Sequence, residues 1–261
     1  MSDKTIAHPT AACCLTGQIH EGEPKGHIET MLDVEVYVAE PTADKANGNV
    51  LLYFPDAFGH YTNSKLLMDG FAEAGYLVLG PDYFRGDPVQ KHRKDPSNPN
   101  ENPDFDLQGW VVEHRAFADP WVPRWIEAVK SRYGKTDTKF VCTGYCFGAP
   151  YILDQLSDKG ICCAGAFAHP ASLKESHFEN AARPIFLSCS EIDHTFPKDL
   201  RRRAIDTLEE RQTRYQVQLF QGVSHGFAVK GDKSDRWQRY AKDASFEGIL
   251  GWFDLWSDSK R

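Results

Sequence analysis

Cys146 sits between two glycines, in the run Gly144-Tyr145-Cys146-Phe147-Gly148. This is G-x-C-x-G, with sulfur where the G-x-S-x-G nucleophile elbow carries oxygen. An elbow needs a strand before it and a helix after it, and Lys139 to Thr143 reads as a strand while Phe147 to Leu156 reads as a helix. The glycines keep side chains away from a strained turn. The following helix aims its positive end at the sulfur, which favours a thiolate. An unperturbed thiol, with a pKa of roughly 8.5, still needs a base at neutral pH. His225, in Gly222-Val223-Ser224-His225-Gly226-Phe227, is expected to take the thiol proton. Asp193, in Ser190-Glu191-Ile192-Asp193-His194, is expected to orient that imidazole and stabilise its cation. Chain order is then nucleophile, acid, histidine. His194 and His169 compete for the base, but His194 adjoins the acid in sequence and His169 precedes it. The oxyanion donors expected are the N–H groups of Phe147 and of Ala57, in the loop Pro55-Asp56-Ala57-Phe58-Gly59.

These residues require strands to hold them. Short apolar runs at Val34 to Ala39, Val50 to Phe54, Tyr76 to Gly80, Ala164 to Ala168, Pro184 to Cys189 and Tyr215 to Phe220 read as strands. Helical patterns cover Thr62 to Ala74, Pro120 to Tyr133, Pro197 to Arg211 and about Ser234 to Trp256. Alternating strands and helices, with nearly continuous apolar strands, predict an α/β fold: a mostly parallel sheet with helices on both faces. Functional residues then belong in loops at the carboxyl ends of strands. Residues 86–109, polar and rich in Pro, Asn and Asp, are expected to form a lid or pocket wall.

Composition narrows the class. The chain has 261 residues, 41% hydrophobic, read as one domain spanning residues 1–261. A net charge of -7 argues against nucleic-acid and anionic-membrane partners. No apolar run approaches signal-peptide or membrane-span length, so the expectation is a soluble, cytoplasmic protein. Seven cysteines make a poor disulfide framework. The vicinal pairs Cys13-Cys14 and Cys162-Cys163 read as buried, inert thiols. Oligomeric state is open between monomer and homodimer.

The chain resembles the dienelactone hydrolases, above all their fungal branch, within the α/β-hydrolase superfamily. The resemblance rests on the Cys146 elbow, Asp193-His194, His225-Gly226-Phe227, Pro81-Asp82-Tyr83-Phe84-Arg85, and Cys13-Cys14 followed by Gly22 and Gly26. It implies a Cys146–Asp193–His225 triad that opens an enol-lactone ring, with no metal and no organic cofactor. Bacterial members carry a glutamate that contacts the nucleophile where Asp56 stands here. They also bind a substrate carboxylate with two arginines. Arg85 matches the first of these, while Val229 followed by Lys230 stands at the second. Asp56, Arg85, Tyr145 and His169 are therefore the candidates to activate the nucleophile or touch substrate.

Sulfur also selects the substrate. A thiolate leaves a tetrahedral intermediate more readily than a simple alkoxide does, so alkyl esters should revert. An enol lactone expels a stabilised enolate and proceeds to the thioester. The expected partner is a small activated lactone or ester. Two alternatives carry different chemistry: a fungal secondary-metabolite enzyme acting on polyketide lactones or carbon–carbon bonds, and a non-catalytic binding protein on a hydrolase fold.

Overall fold

A computed structural model describes residues 3–92, 102 and 104–259. An eight-stranded sheet runs in the order β1-β2-β4-β3-β5-β6-β7-β8. The strands are β1 (His27–Met31), β2 (Val34–Ala39), β3 (Val50–Phe54), β4 (Leu77–Pro81), β5 (Phe140–Cys146), β6 (Cys162–Pro170), β7 (Ile185–Ile192) and β8 (Tyr215–Ser224). From β4 to β8 every pairing is parallel, and β1 and β2 pair antiparallel at one edge. The helices are α1 (Thr62–Glu73), α2 (Leu107–Tyr133), α3 (Ala149–Gln155), α4 (Glu175–Glu179), α5 (Lys198–Glu210), α6 (Phe227–Lys230) and α7 (Arg236–Trp256). Every residue of β3 and β5 is buried, so both faces of the sheet are covered there. That burial explains why these strands read as unbroken apolar runs.

The chain departs from the sequence-based expectation in several places. β1 is an added strand joined to β2 by a two-residue turn, Leu32-Asp33, with φ of 50° and 63°. Positive φ at both positions suits a tight hairpin, but Leu-Asp lacks the Asn-Gly signature that announces one. α2 begins at Leu107, well before Pro120, and continues through Pro120 and Pro123. Asp106 caps it by accepting from the Gly109 N–H. Trp121 and Trp125 stack along its buried face, and Trp125 meets Phe54 edge-on at 5.9 Å. This aromatic burial outweighs the helix bonds that two prolines remove. Of the expected lid, residues 93–101 and 103 lie outside the described residues. Val89 to His92 form a 3-10 turn, Val89 is buried, and its N–H donates to Ala57 O at 3.0 Å. Residues 107–109 belong to α2.

The two elbow glycines are sterically necessary. Cys146 has φ of 48°, a left-handed conformation at the strand's last residue. A Cβ on Gly144 would stand 2.8 Å from Ile152 Cγ1 and 2.9 Å from Gly148 O. On Gly148 it would stand 2.3 Å from Phe54 O, so β3 and the elbow could not approach. Gly148→Ala is expected to destabilise the fold by at least about 2 kcal/mol, read as a lowered urea midpoint. An unchanged midpoint would show that the elbow tolerates displacement from β3.

Candidate active site

The parallel strands bring their carboxyl ends together. Cys146 ends β5, His169 lies near the end of β6, Asp193 follows β7 and His225 follows β8. Asp56 follows β3 and Arg85 lies beyond β4. Each candidate therefore stands where a parallel sheet places functional groups.

Asp193 and His225 meet directly. His225 Nδ1 lies 3.0 Å from both Asp193 Oδ1 and Oδ2, and both side chains are buried. Asp193 Oδ1 accepts from the backbone N–H groups of Thr195 and Phe196 at 3.0 and 3.1 Å. Ser190 Oγ donates to Oδ2 at 3.0 Å. Thr195 Oγ1 lies 2.7 Å from Oδ1, 2.8 Å from Pro170 O and 3.1 Å from His225 Nδ1. Burial alone would raise the Asp193 pKa, but the His225 charge and these donors hold it well below the usual carboxylate range. Burial likewise opposes the His225 cation, and the Asp193 and Cys146 charges overcome it, raising its pKa well above the ordinary value.

Cys146 is 0% exposed. Burial disfavours its thiolate, yet hydrogen bonding from Cys14, the charge and hydrogen bond of His225, and the Lys230 charge lower its pKa to about 5. The groups around Cys146 thus favour its thiolate form.

One member of this cluster comes from the beginning of the chain. Residues 5–20 form a strap across the carboxyl ends of the strands. Ile6 and Ala7 N–H donate to Leu173 O, and His8 N–H donates to Thr195 O. At the other end, Gln18 N–H donates to Lys230 O and His20 N–H to Asn63 Oδ1. Between them, Ala12–Leu15 makes a 3-10 turn that puts Cys14 Sγ 3.2 Å from His225 Nε2. Cys14 also packs against Cys146 and Ala171. Cys14 fits the reading as a buried thiol, with burial pushing its pKa well up, although it lies against the candidate site. Cys13 departs from that reading: it is half-buried, and hydrogen bonding from Cys14 lowers its pKa to about 7. Cys162 fits its reading as a buried thiol, since burial drives its pKa well up.

Asp56 is placed differently from the glutamate contact it was matched to. Its Oδ2 accepts from Lys230 Nζ at 2.6 Å, and both residues are buried. Lys230 Nζ also donates to Cys14 O at 3.2 Å and lies 4.2 Å from the Phe58 ring centre. The carboxylate thus pairs with a lysine beside Cys146. Arg85 is exposed, with its guanidinium 4.3 Å over the Phe117 ring. Tyr145 is buried with its ring 5.2 Å from Tyr53 and 5.8 Å from His169. His169 lies edge-on to His225 at 4.8 Å, and burial together with the His225 charge keeps it neutral. Among the described residues neither of its ring nitrogens has a hydrogen-bond partner. His194 is exposed. Ala57 and Phe147, the expected oxyanion donors, are both buried in the loops after β3 and β5. Arg115 stacks 3.7 Å over Phe147 and donates to its carbonyl at 2.5 Å, bracing the residue after Cys146. Cys14, Thr195 and Arg115 carry no local signal of these contacts.

No helix among the described residues is long and apolar enough to cross a membrane. Residues 34–256 match the model of the dienelactone hydrolase family. Two relatives come from Gibberella moniliformis. Dienlactone hydrolase 1 is 43% identical, covering 98% of this chain and 97% of its own. Dienlactone hydrolase 2 is 40% identical, covering 99% and 100%. Among solved structures, a putative dienelactone hydrolase from Klebsiella pneumoniae superposes with a TM-score of 0.62 at 15% identity, over 91% of this chain and 96% of that one.

A lowered thiol pKa has a direct readout. Alkylation of Cys146 by iodoacetamide, followed by peptide mass, should stay fast as pH falls from 8 towards about 5 and decline only below that. A decline already complete near pH 7 would mean that the partners do not hold the thiolate.

Proposed function

The chain belongs to the dienelactone hydrolase family, and we propose that it hydrolyses a small activated lactone or ester through a thioester on Cys146. The observation that carries this reading is the buried Asp193–His225 pair beside a cysteine in a left-handed strand-to-helix turn.

The proposed steps use this chain's own groups. The Cys146 thiolate adds to the carbonyl carbon, and the oxygen's charge develops towards the N–H groups of Phe147 and Ala57. Collapse breaks the carbon–oxygen bond to the enol. His225 Nε2 gives its proton to the departing enolate, which leaves a neutral imidazole and the thioester. Water then loses a proton to Nε2 as it adds to the thioester, and expulsion of the thiolate restores the thiolate–imidazolium pair. Asp193 stays ionised and holds Nδ1 throughout, as in other triads.

The surroundings favour a substrate without a carboxylate to be clamped. Lys230 is already neutralised by Asp56, and Arg85 rests on Phe117. A thioester acyl-enzyme further favours leaving groups better than a simple alkoxide.

Intact-mass analysis with a panel of enol lactones, thioesters and alkyl esters tests the reading. The expected result is an acyl adduct on Cys146 with activated substrates and slow turnover of alkyl esters. Cys146→Ala should lose a factor of about 10⁴ or more in kcat. An adduct on Cys14 would reassign the nucleophile. Equal turnover of alkyl and enol esters would remove the leaving-group argument.

A further inference from the structure

The strap adds to the triad a set of atoms that hydrolysis does not require. Cys13 Sγ, Cys14 Sγ and a ring nitrogen of His225 all lie within 4.8 Å of one another. The nitrogen facing Cys14 is Nε2, because Asp193 holds Nδ1. Cys146 packs against Cys14 beside this group. Two sulfurs and one imidazole nitrogen thus surround a single point.

We propose that Cys13, Cys14 and His225 Nε2 form a binding site for a soft divalent cation, Zn²⁺, and that its occupation switches the hydrolase off. Tetrahedral zinc takes such a Cys₂His set with water in the fourth position, with Zn–S bonds of about 2.3 Å and hence sulfur–sulfur edges of about 3.8 Å. The ligand atoms need to close by only about 1 Å from their present limits. Asp193 on Nδ1 supplies the carboxylate–histidine support that zinc ligands ordinarily carry. Cys13 is half-buried, whereas Cys14 and Cys146 are fully buried, so the cation enters on the Cys13 side.

No redox change is involved. Three protein-to-zinc bonds form, a water takes the fourth position, and the protons on the Cys13 and Cys14 thiols and on His225 Nε2 pass to solvent. The proposed base is then occupied, and the strap is tied to it by metal bonds.

The test uses the full, reduced, metal-free chain titrated with zinc chloride, with binding read by calorimetry. Alkylation footprinting and Co²⁺ sulfur-to-metal absorption identify the ligands. The expected results are one zinc per chain, and protection from alkylation of Cys13, the half-buried ligand. Cys13→Ser and Cys14→Ser should each weaken binding by about a hundredfold. A chelator should restore hydrolysis lost to zinc. Cys13→Ser alters a half-buried side chain, so it and the wild-type footprint decide the matter even if Cys14→Ser fails to fold. Unchanged zinc affinity in Cys13→Ser, or zinc binding that leaves Cys13 fully reactive, would overturn the site. None of the binding measurements depends on which substrate is hydrolysed.

Discussion

Titratable groups must be balanced in a dry interior, and that constraint organises the whole carboxyl end of the sheet. Each charge alone would be expelled by the cost of desolvation. The Asp193–His225 pair is balanced because Asp193 is itself held by backbone N–H groups and two hydroxyls, while Lys230 adds positive charge near the Cys146 sulfur. Lys230 in turn is balanced by Asp56. The network is a chain of compensated charges, and removing one member leaves a buried neighbour exposed to the full penalty.

Geometry makes this compensation possible. A parallel register delivers residues from β3, β5, β6, β7 and β8 to one edge, although they are far apart in sequence. The elbow then turns Cys146 out of the sheet at positive φ, a strain tolerated because Gly144 and Gly148 let Ile152 and Phe54 close in around it. Arg115, lying flat on Phe147, packs the far side of the same turn.

The parts of the site legible in the sequence are those with a local signature. Cys146 announces itself by flanking glycines and a strand-to-helix change, and Asp193 and His225 by lying just after strands in the expected order. The Cys14–His225 contact joins residues 211 positions apart and depends on how the strap docks, which no short pattern encodes. The partner of Asp56 is unreadable for a related reason. Lys230 looked like a displaced substrate ligand, and only the turn into α6 shows its ammonium pointing back at Asp56. In the fold, α2 misled because proline usually opens a helix, whereas here tryptophan packing carries the helix through it. β1 escaped because its turn opens on Leu32, a residue that tolerates positive φ poorly.

The strap lies ahead of residues 34–256, the stretch that matches the family model. The two halves of the imidazole's surroundings therefore answer to different parts of the chain. Asp193 approaches from packed strands, where most substitutions disturb the core. Cys14 approaches from a short turn attached by backbone hydrogen bonds, and its own side chain is fully buried. What faces Nε2 is therefore set by how a 3-10 turn docks, whereas what faces Nδ1 is set by the register of the sheet.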